Sequence, residues 1–340
     1  MDKRILAAML LMLLPLIALG CQHSRETAPP PDTGYQKVRM VMAVTGTDKG
    51  LNALVARKIA SLVAEESGGN VSIEVYTNDR LAGGNTNQGV EMMANGSVDL
   101  AAYTSGTLSM LDPRLAVGTL PWTFRSYQDA RRIIDSTGGA YYEKILAQQG
   151  LVYLGSTHNG MRQVSNNQHP IRKPEDLQGL RIRVLNNESS LQFFRLLDAY
   201  PVPMNWSEVP AAIQQGIING HDSGFFTSNS SHLDKLLGYV TKWNYSYENY
   251  IFIANSKTFN HLDARTQELL RKKTREACDW GRDMLEKNEE SLQKKFIASG
   301  VEITEPTPEE LHAFQEKTRP LIEHFKEIYG PEACAAFHIQ

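Results

Sequence analysis

Apolar residues in the first hundred positions switch between strand-like and helix-like spacing. Residues 38–44 form a short apolar run that predicts a buried strand. A stripe at spacings of three and four follows it and predicts a helix: Leu51, Leu54, Val55, Ile59, Leu62 and Val63. Gly68-Gly69 ends that helix. Alternation over 71–76, a short helix near 88–94 and a strand over 98–103 complete a βαβαβ order, which predicts a mostly parallel sheet with helices on its faces.

The same alternation of patterns continues to the end of the chain. We predict helices over 129–149, 189–197 and 266–298, a stripe formed by Val209, Ala212, Ile213 and Ile217, and strands over 151–154, 179–184 and 250–254. Pro306 and Pro308 break the long helix, and a final helix follows. The body exceeds 300 residues, enough for two α/β lobes joined by crossing strands.

The N-terminus has the pattern of an export signal. Asp2, Lys3 and Arg4 precede an apolar run over 5–19, and Gly20-Cys21 closes it. The run is shorter than the roughly 20 apolar residues that span a bilayer. A cysteine at the cleavage point predicts a bacterial lipoprotein with an acylated Cys21. The alternative is plain secretion with an incidental cysteine.

The polar segment after Cys21 contains three consecutive prolines and predicts an extended tether. We assign residues 1–20 to a signal peptide and 21–37 to the tether, and expect a protein of the periplasm or cell surface that is lipid-anchored to a membrane. The other cysteines, Cys278 and Cys334, could be paired or separately buried, and the sequence leaves both open.

The net charge and the missing enzyme motifs argue against two classes of function, nucleic-acid binding and catalysis. The chain has a net charge of −3, which argues against a nucleic-acid partner. It has no G-x-S-x-G elbow, Walker loop, G-x-G-x-x-G after a strand, C-x-x-C or H-E-x-x-H. His221, Asp222 and Ser223 are triad residue types, but three adjacent residues cannot form that relay. We therefore expect no enzyme, no cofactor and no metal site.

The predicted strand over 179–184 contains a candidate ligand-binding residue. Leu180, Ile182 and Val184 face one side, and Arg181 and Arg183 face the other. Ligand clefts in such sheets open at the carboxyl ends of strands, and Arg183 is nearer that end. Its guanidinium offers two parallel N–H donors that match a carboxylate. A structural ion pair is the alternative role.

Ordered motifs along nearly the whole body resemble the substrate-binding proteins of TRAP transporters, the DctP-type family. They are SGG at 67–69, RLAGG at 80–84, LPWTF at 120–124, NGMR at 159–162, PEDLQGLRIRV at 174–184, PMNWSEV at 203–209 and AIQQGIING at 212–220. The resemblance implies an α/β, two-lobe periplasmic-binding-protein fold with hinge-crossing strands and a long helix spanning both lobes.

The resemblance also implies the ligand contacts. The carboxylate-binding arginine of the family falls on Arg183, and its second arginine falls on Arg162. Asn186 occupies a slot that can bond the carboxylate, and Trp206 one where an aromatic ring lies against the substrate. Further candidates are Thr104 at the exit of the third strand, Tyr247 at the second hinge crossing, and His221 and Ser223. These last two lie where relatives carry QENP and this chain has HDSG, which leaves the substrate open.

We expect an extracytoplasmic receptor that binds a small organic acid and delivers it to the membrane subunits of a TRAP permease, and we expect a monomer. Lobe I would hold 38–159 and 247–287, lobe II 160–246 and 288–305, and a helical segment 306–340. One alternative is a solute-sensing lipoprotein that signals to a membrane receptor. The other is a surface enzyme on the same scaffold.

Overall fold

The computed structural model describes residues 34–339. The predicted signal peptide, Cys21 and the tether up to residue 33 lie outside them. The strands in this part are β1 Val38–Val44, β2 Val71–Tyr76, β3 Leu100–Thr104, β4 Leu151–Asn166, β5 Arg181–Val184, β6 Tyr200–Pro203, β7 Gly220–Ser223, β8 Tyr239–Asn255 and β9 Glu302–Thr304. The helices are α1 Leu51–Glu66, α2 Thr86–Asn95, α3 Ser105–Leu108, α4 Tyr127–Ile133, α5 Gly139–Gln148, α6 Glu188–Leu196, α7 Val209–Gln214, α8 Phe225–Ser230, α9 Ser256–Asn260, α10 Ala264–Ala298 and α11 Pro308–Ala336.

The strands form one continuous sheet in the order β2-β1-β3-β8-β4-β7-β5-β6, with β9 beside β8. β1 pairs in parallel with β2 and β3, and β5 in parallel with β6 and β7. β4 and β8 pair antiparallel along most of their length and connect these two parallel groups. The fold is therefore two-lobed: lobe I is built on β1–β3, lobe II on β5–β7, and the two long strands cross between them.

The predicted first βαβ unit is confirmed at β1, α1 and β2. Val55, Ile59 and Val63 of α1 are fully buried against the sheet. Gly68 and Gly69 follow the helix with φ of +61° and +84°, the left-handed conformation expected of a helix end.

Two predicted elements were wrong in their bounds. The helix expected over 129–149 is divided into α4 and α5, because Ser136 between them adopts φ −126° and ψ −107°. The helix expected to include Ile217 ends at Gln214, and Gly216 follows with φ +68°.

The strands predicted over 151–154 and 250–254 are parts of much longer ones. β4 has 16 residues and β8 has 17, and register shifts interrupt their pairing at three places. One shift lies between His158 and Gly160, and Gly160 has φ +118°. A β-bulge bends a strand, so the crossing strands bend where the lobes meet.

The predicted long helix is confirmed as α10, which has 35 residues. Its Leu270 and Ala277 are buried in the core of lobe I, and Phe296, near its end, packs against Phe225 of lobe II. Cys278, on the same helix, is buried, and both Cys278 and Cys334 are free thiols.

The final predicted helix corresponds to α11, which packs on both lobes. Nε1 of Trp122 in lobe I donates to Thr318 Oγ1 at 3.2 Å, and Lys317 pairs with Asp198 of lobe II. Within the part of the chain that the structure describes, no helix combines the length and apolar character that a membrane crossing requires.

Candidate functional site

A cleft opens between the lobes at the carboxyl end of β5. It comprises an inner cavity of about 50 Å³ and an adjoining outer cavity of about 190 Å³. Both cavities have Thr86, Thr107, Arg183 and Leu185 in their walls. Thr86 and Thr107 belong to lobe I, and Arg183 and Leu185 belong to lobe II. A molecule in this cleft would therefore touch both lobes.

Arg183 extends from the end of β5 into the cleft and is only 4% exposed. Its Nε and Nη2 donate to the carbonyl oxygen of Met204 at 3.0 and 2.8 Å. A guanidinium has five N–H groups, so three, including a pair on Nη1 and Nη2, have no partner among residues 34–339. No acidic side chain of those residues lies within ion-pair distance of it.

The environment of Arg183 disfavours its charge. Burial, together with the nearby positive charge of Arg162, lowers the pKa of Arg183 to about 10. The guanidinium remains protonated at neutral pH, so the cleft contains a buried cation with free donors. An anion placed there would stabilise it.

Trp206 forms part of the wall of the inner cavity. Its ring lies 5.2 Å from the guanidinium carbon of Arg183, a cation–π distance. Its Nε1 donates to Ser231 Oγ at 3.0 Å, which fixes the ring within lobe II. The indole therefore orients Arg183 and offers an apolar surface to a ligand.

Arg162 lies in the wall of the inner cavity, but two carboxylates neutralise it. Its Nη2 is 2.8 Å from Asp222 Oδ2 and its Nη1 is 3.5 Å from Glu248 Oε2. Its Nη2 also donates to the Asp222 carbonyl at 2.6 Å. All three residues are at most 3% exposed. These acids raise the pKa of Arg162 although burial opposes them.

Hydroxyl and amide groups line the rest of the inner cavity. Thr104 lies there as the sequence predicts, and its Oγ1 also caps α3 by accepting from Thr107 N at 3.1 Å. Ser223, at the end of β7, lies in the same wall and is 3% exposed. Asn186 lines only the outer cavity. These groups can hydrogen-bond a polar ligand without adding charge.

Two predicted residues do not line the cleft. His221 is fully buried on β7 beside Arg183, 5.7 Å from the Trp206 ring, and burial and the nearby arginines lower its pKa to about 3. The Tyr247 hydroxyl lies 2.7 Å from Nδ1 of His158, whose Nε2 is 3.0 Å from Glu286 on α10. Neither side chain is among the residues that line the two cavities.

Sequence reasoning missed several residues of the inner wall, among them Tyr250 and the bonded pair Asn159 and Thr227. Tyr250 lies in a predicted strand, and its position opposite Thr104 depends on the pairing of β3 with β8. Asp222 and Glu248 were also missed as partners of Arg162. No motif marks Asp222 and Glu248 as its partners, since strands β4, β7 and β8 bring the three residues together.

Hydrogen bonds join the lobes across the cleft. Thr86 N donates to Asn205 Oδ1 at 3.1 Å, and Ser207 Oγ donates to the Gly84 carbonyl at 3.3 Å. Thr47 Oγ1 donates to the Ser230 carbonyl at 3.3 Å. Thr86 and Asn205 line one cavity and Thr47 and Ser230 line the other, so the lobes are in contact beside both cavities.

In residues 34–339 no group of three or more His, Cys, Asp or Glu side chains is arranged to hold a metal ion. The site can grip an anion and surround it with neutral polar groups.

The sequence is similar to those of known bacterial solute-binding proteins. The family described as bacterial extracellular solute-binding protein, family 7 (DctP) matches residues 43–328. The C4-dicarboxylate-binding protein DctB of Bacillus subtilis is 26% identical over 287 residues, which cover 84% of this chain and 81% of DctB.

Solved structures agree with the fold. A TRAP periplasmic solute-binding protein of Chromohalobacter salexigens with bound D-glucuronate superimposes with a TM-score of 0.82 at 25% identity, covering 88% of this chain and 98% of that one. The sugar acid binding protein of Advenella mimigardefordensis in complex with galactonate gives 0.85 at 23% identity, covering 89% and 97%.

Proposed function

The chain belongs to the bacterial extracellular solute-binding proteins of family 7, the DctP-type binding proteins of TRAP transporters, and on this premise we propose that it binds a small organic acid between its lobes and delivers it to the membrane subunits of a TRAP permease. The family consists of solute-binding receptors rather than enzymes. Relatives named for C4-dicarboxylates and a similar protein holding D-glucuronate support an acid as the ligand.

The observation that carries this proposal is the state of Arg183. A buried cation without a counter-charge is costly, and proteins keep one where an anion arrives or where a paired acid compensates it. No acid of the described residues pairs with Arg183, and its free N–H pair faces the cleft. A ligand carboxylate would supply both the missing charge and the bidentate acceptor.

Closure around the ligand would follow from differential affinity. Arg183 and Trp206 contact a ligand from lobe II, whereas Thr104 and Thr107 do so from lobe I. Only the closed form offers both sets of contacts, so the ligand stabilises that form. The contacts of Thr86 with Asn205 and of Ser207 with Gly84 support a closed state held at its mouth.

We also propose that the protein is anchored to a membrane by a lipid. We infer acylation at Cys21 from the apolar run that ends at Gly20-Cys21, which would anchor the receptor to a membrane outside the cytoplasm. A Cys21→Ser variant should then leave the membrane fraction. Retention of that variant in the membrane fraction would contradict the anchor.

Calorimetry with an Arg183→Ala variant tests the binding function. Removing the partner of a buried carboxylate costs about 2–5 kcal/mol, which corresponds to a loss of about 30-fold to several thousand-fold in affinity. The matched control is Arg181→Ala, because Arg181 is on the same strand but exposed, where it bonds Asn219 and the Gly216 carbonyl. Unchanged affinity of Arg183→Ala for a bound acid would remove the proposed contact.

A further inference from the structure

The charges around the cleft restrict which acids can bind, provided that the proposed function is correct. Arg162 and Arg183 are buried beside the inner cavity, and Asp222 and Glu248 are buried next to Arg162. When all four are ionised, their charges sum to zero. A ligand with one carboxylate leaves one excess negative charge, and a ligand with two leaves two.

A second carboxylate would find no second free cation. Arg162 is occupied by Asp222 through Nε and Nη2, at 2.9 and 2.8 Å, and by Glu248 through Nη1. Among the described residues that line the two cavities, Arg162 and Arg183 are the only cations. Asp222 Oδ1 is buried and has no hydrogen-bond partner among residues 34–339. When ionised, Asp222 and Glu248 together carry one more negative charge than Arg162 neutralises.

The remaining wall suits hydroxyl groups instead. Thr104, Thr107, Asn159, Ser223, Thr227 and Tyr250 line the inner cavity. Hydroxyls and amides can each donate or accept, so they match the hydroxyl groups of a ligand in either sense. A neutral hydroxylated segment satisfies them without the desolvation cost of a second buried anion.

We infer that the solute is a hydroxylated monocarboxylate, and that Asp222 and Glu248 determine this specificity because they neutralise Arg162 and repel a second carboxylate. Arg183 receives the single carboxylate at the boundary of the two cavities. The hydroxyl-bearing part of the ligand extends toward Thr104, Ser223 and Tyr250. The Trp206 ring and the Leu185 side chain contact its apolar edge.

Two matched pairs of acids test the inference by calorimetry at neutral pH and fixed salt. Threonate and tartrate differ only in a terminal hydroxymethyl group that tartrate replaces with a carboxylate, and gluconate and glucarate differ in the same way. We expect at least one monocarboxylate to bind, and to bind at least about tenfold more tightly than its diacid, because juxtaposed like charges at a buried site cost more than that factor.

An Asp222→Asn variant separates the effect of charge on ligand selectivity from the effect of side-chain shape. The amide is similar in shape to the carboxylate and can still accept from Arg162, but it leaves one more positive charge at the site. The ratio of the diacid to the monocarboxylate dissociation constant should fall by about threefold or more. Glu248→Gln provides a second test of the same ratio if Asp222→Asn fails to fold.

The outcomes are distinguishable. A diacid that binds as tightly as its monocarboxylate, with binding lost in Arg183→Ala, overturns the inference and upholds the proposed function. An unchanged selectivity ratio in a folded Asp222→Asn or Glu248→Gln variant overturns the role assigned to these acids. Absence of binding by every acid tested overturns both proposals.

Discussion

Gly106 lies where lobe I meets lobe II, and replacing it with alanine should oppose closure. It belongs to α3, and a Cβ at this position would lie 3.0 Å from Asn187 Nδ2 and 3.1 Å from Leu185 Cδ1. Both atoms belong to the segment after β5, in lobe II. A third neighbour, Glu248 Oε2 at 3.2 Å, is on the crossing strand β8, and Oε1 of the same carboxylate accepts from Gly106 N at 2.9 Å.

The expected loss of affinity in Gly106→Ala can be estimated from these distances. Contacts of 3.0–3.1 Å require the neighbours to move by a few tenths of an ångström, and overpacking of this kind costs about 1–3 kcal/mol. The lobe II contacts disappear when the hinge opens, so most of the cost falls on the closed state. Since apparent affinity scales with the closed fraction, Gly106→Ala should weaken binding about 5- to 150-fold.

Calorimetry with a bound acid measures the affinity, and a distance probe between the lobes measures the closed fraction. The matched control is Gly238→Ala, because an added Cβ there meets no heavy atom within 4 Å. Unchanged affinity and closed fraction in Gly106→Ala would refute the reasoning. A fall in the unfolding free energy without any change in closure would instead assign the crowding to Glu248.

Three further predictions concern buried titratable side chains in the cleft and beside it. Arg183→Met should change the free energy of unfolding without ligand by less than about 1 kcal/mol, because it removes a buried charge with which no acid of the described residues pairs. In contrast, Arg162→Met should cost about 3–5 kcal/mol, since it leaves Asp222 and Glu248 unpaired. Denaturant titration of the two variants compares these costs. A loss for Arg183→Met as large as that for Arg162→Met would mean that Arg183 is structural. Because the pKa of His221 is lowered to about 3 in the fold, the unfolded chain binds more protons below pH 6.5, and stability should fall as the pH decreases from 6.5 toward 3, by up to about 1.4 kcal/mol per pH unit. His221→Gln should flatten this slope in urea titrations at several pH values, whereas His312→Gln, at an exposed position, should not; an equal slope in both variants would contradict the assignment to His221.

The local parts of the fold could be read from the sequence because each depends on a short pattern. The stripe of α1, the paired glycines after it and the alternation in β2 involve neighbouring residues. The crossing strands could not be predicted in full, because β4 and β8 include polar residues that are buried by their partners, such as His158 and Glu248. Their length depends on tertiary pairing rather than on a periodic pattern.

The candidate site also has one part that the sequence predicts and one part that it does not. The position of Arg183 at the carboxyl end of β5 follows from strand periodicity and from the resemblance to the family. The neutralisation of Arg162 could not be foreseen, because Asp222 lies 60 residues and Glu248 86 residues away along the chain. Pairing of β4 with β7 and β8 brings these acids to the arginine.

A crystal structure with a bound monocarboxylate tests the central claim most directly. The account predicts that the two carboxylate oxygens lie about 2.7–2.9 Å from Nη1 and Nη2 of Arg183, the spacing of a charge-assisted pair. It also predicts that Thr104 and Trp206 contact the same molecule from opposite lobes. A ligand whose carboxylate lies elsewhere, beyond hydrogen-bonding distance of the Arg183 guanidinium, would contradict the account.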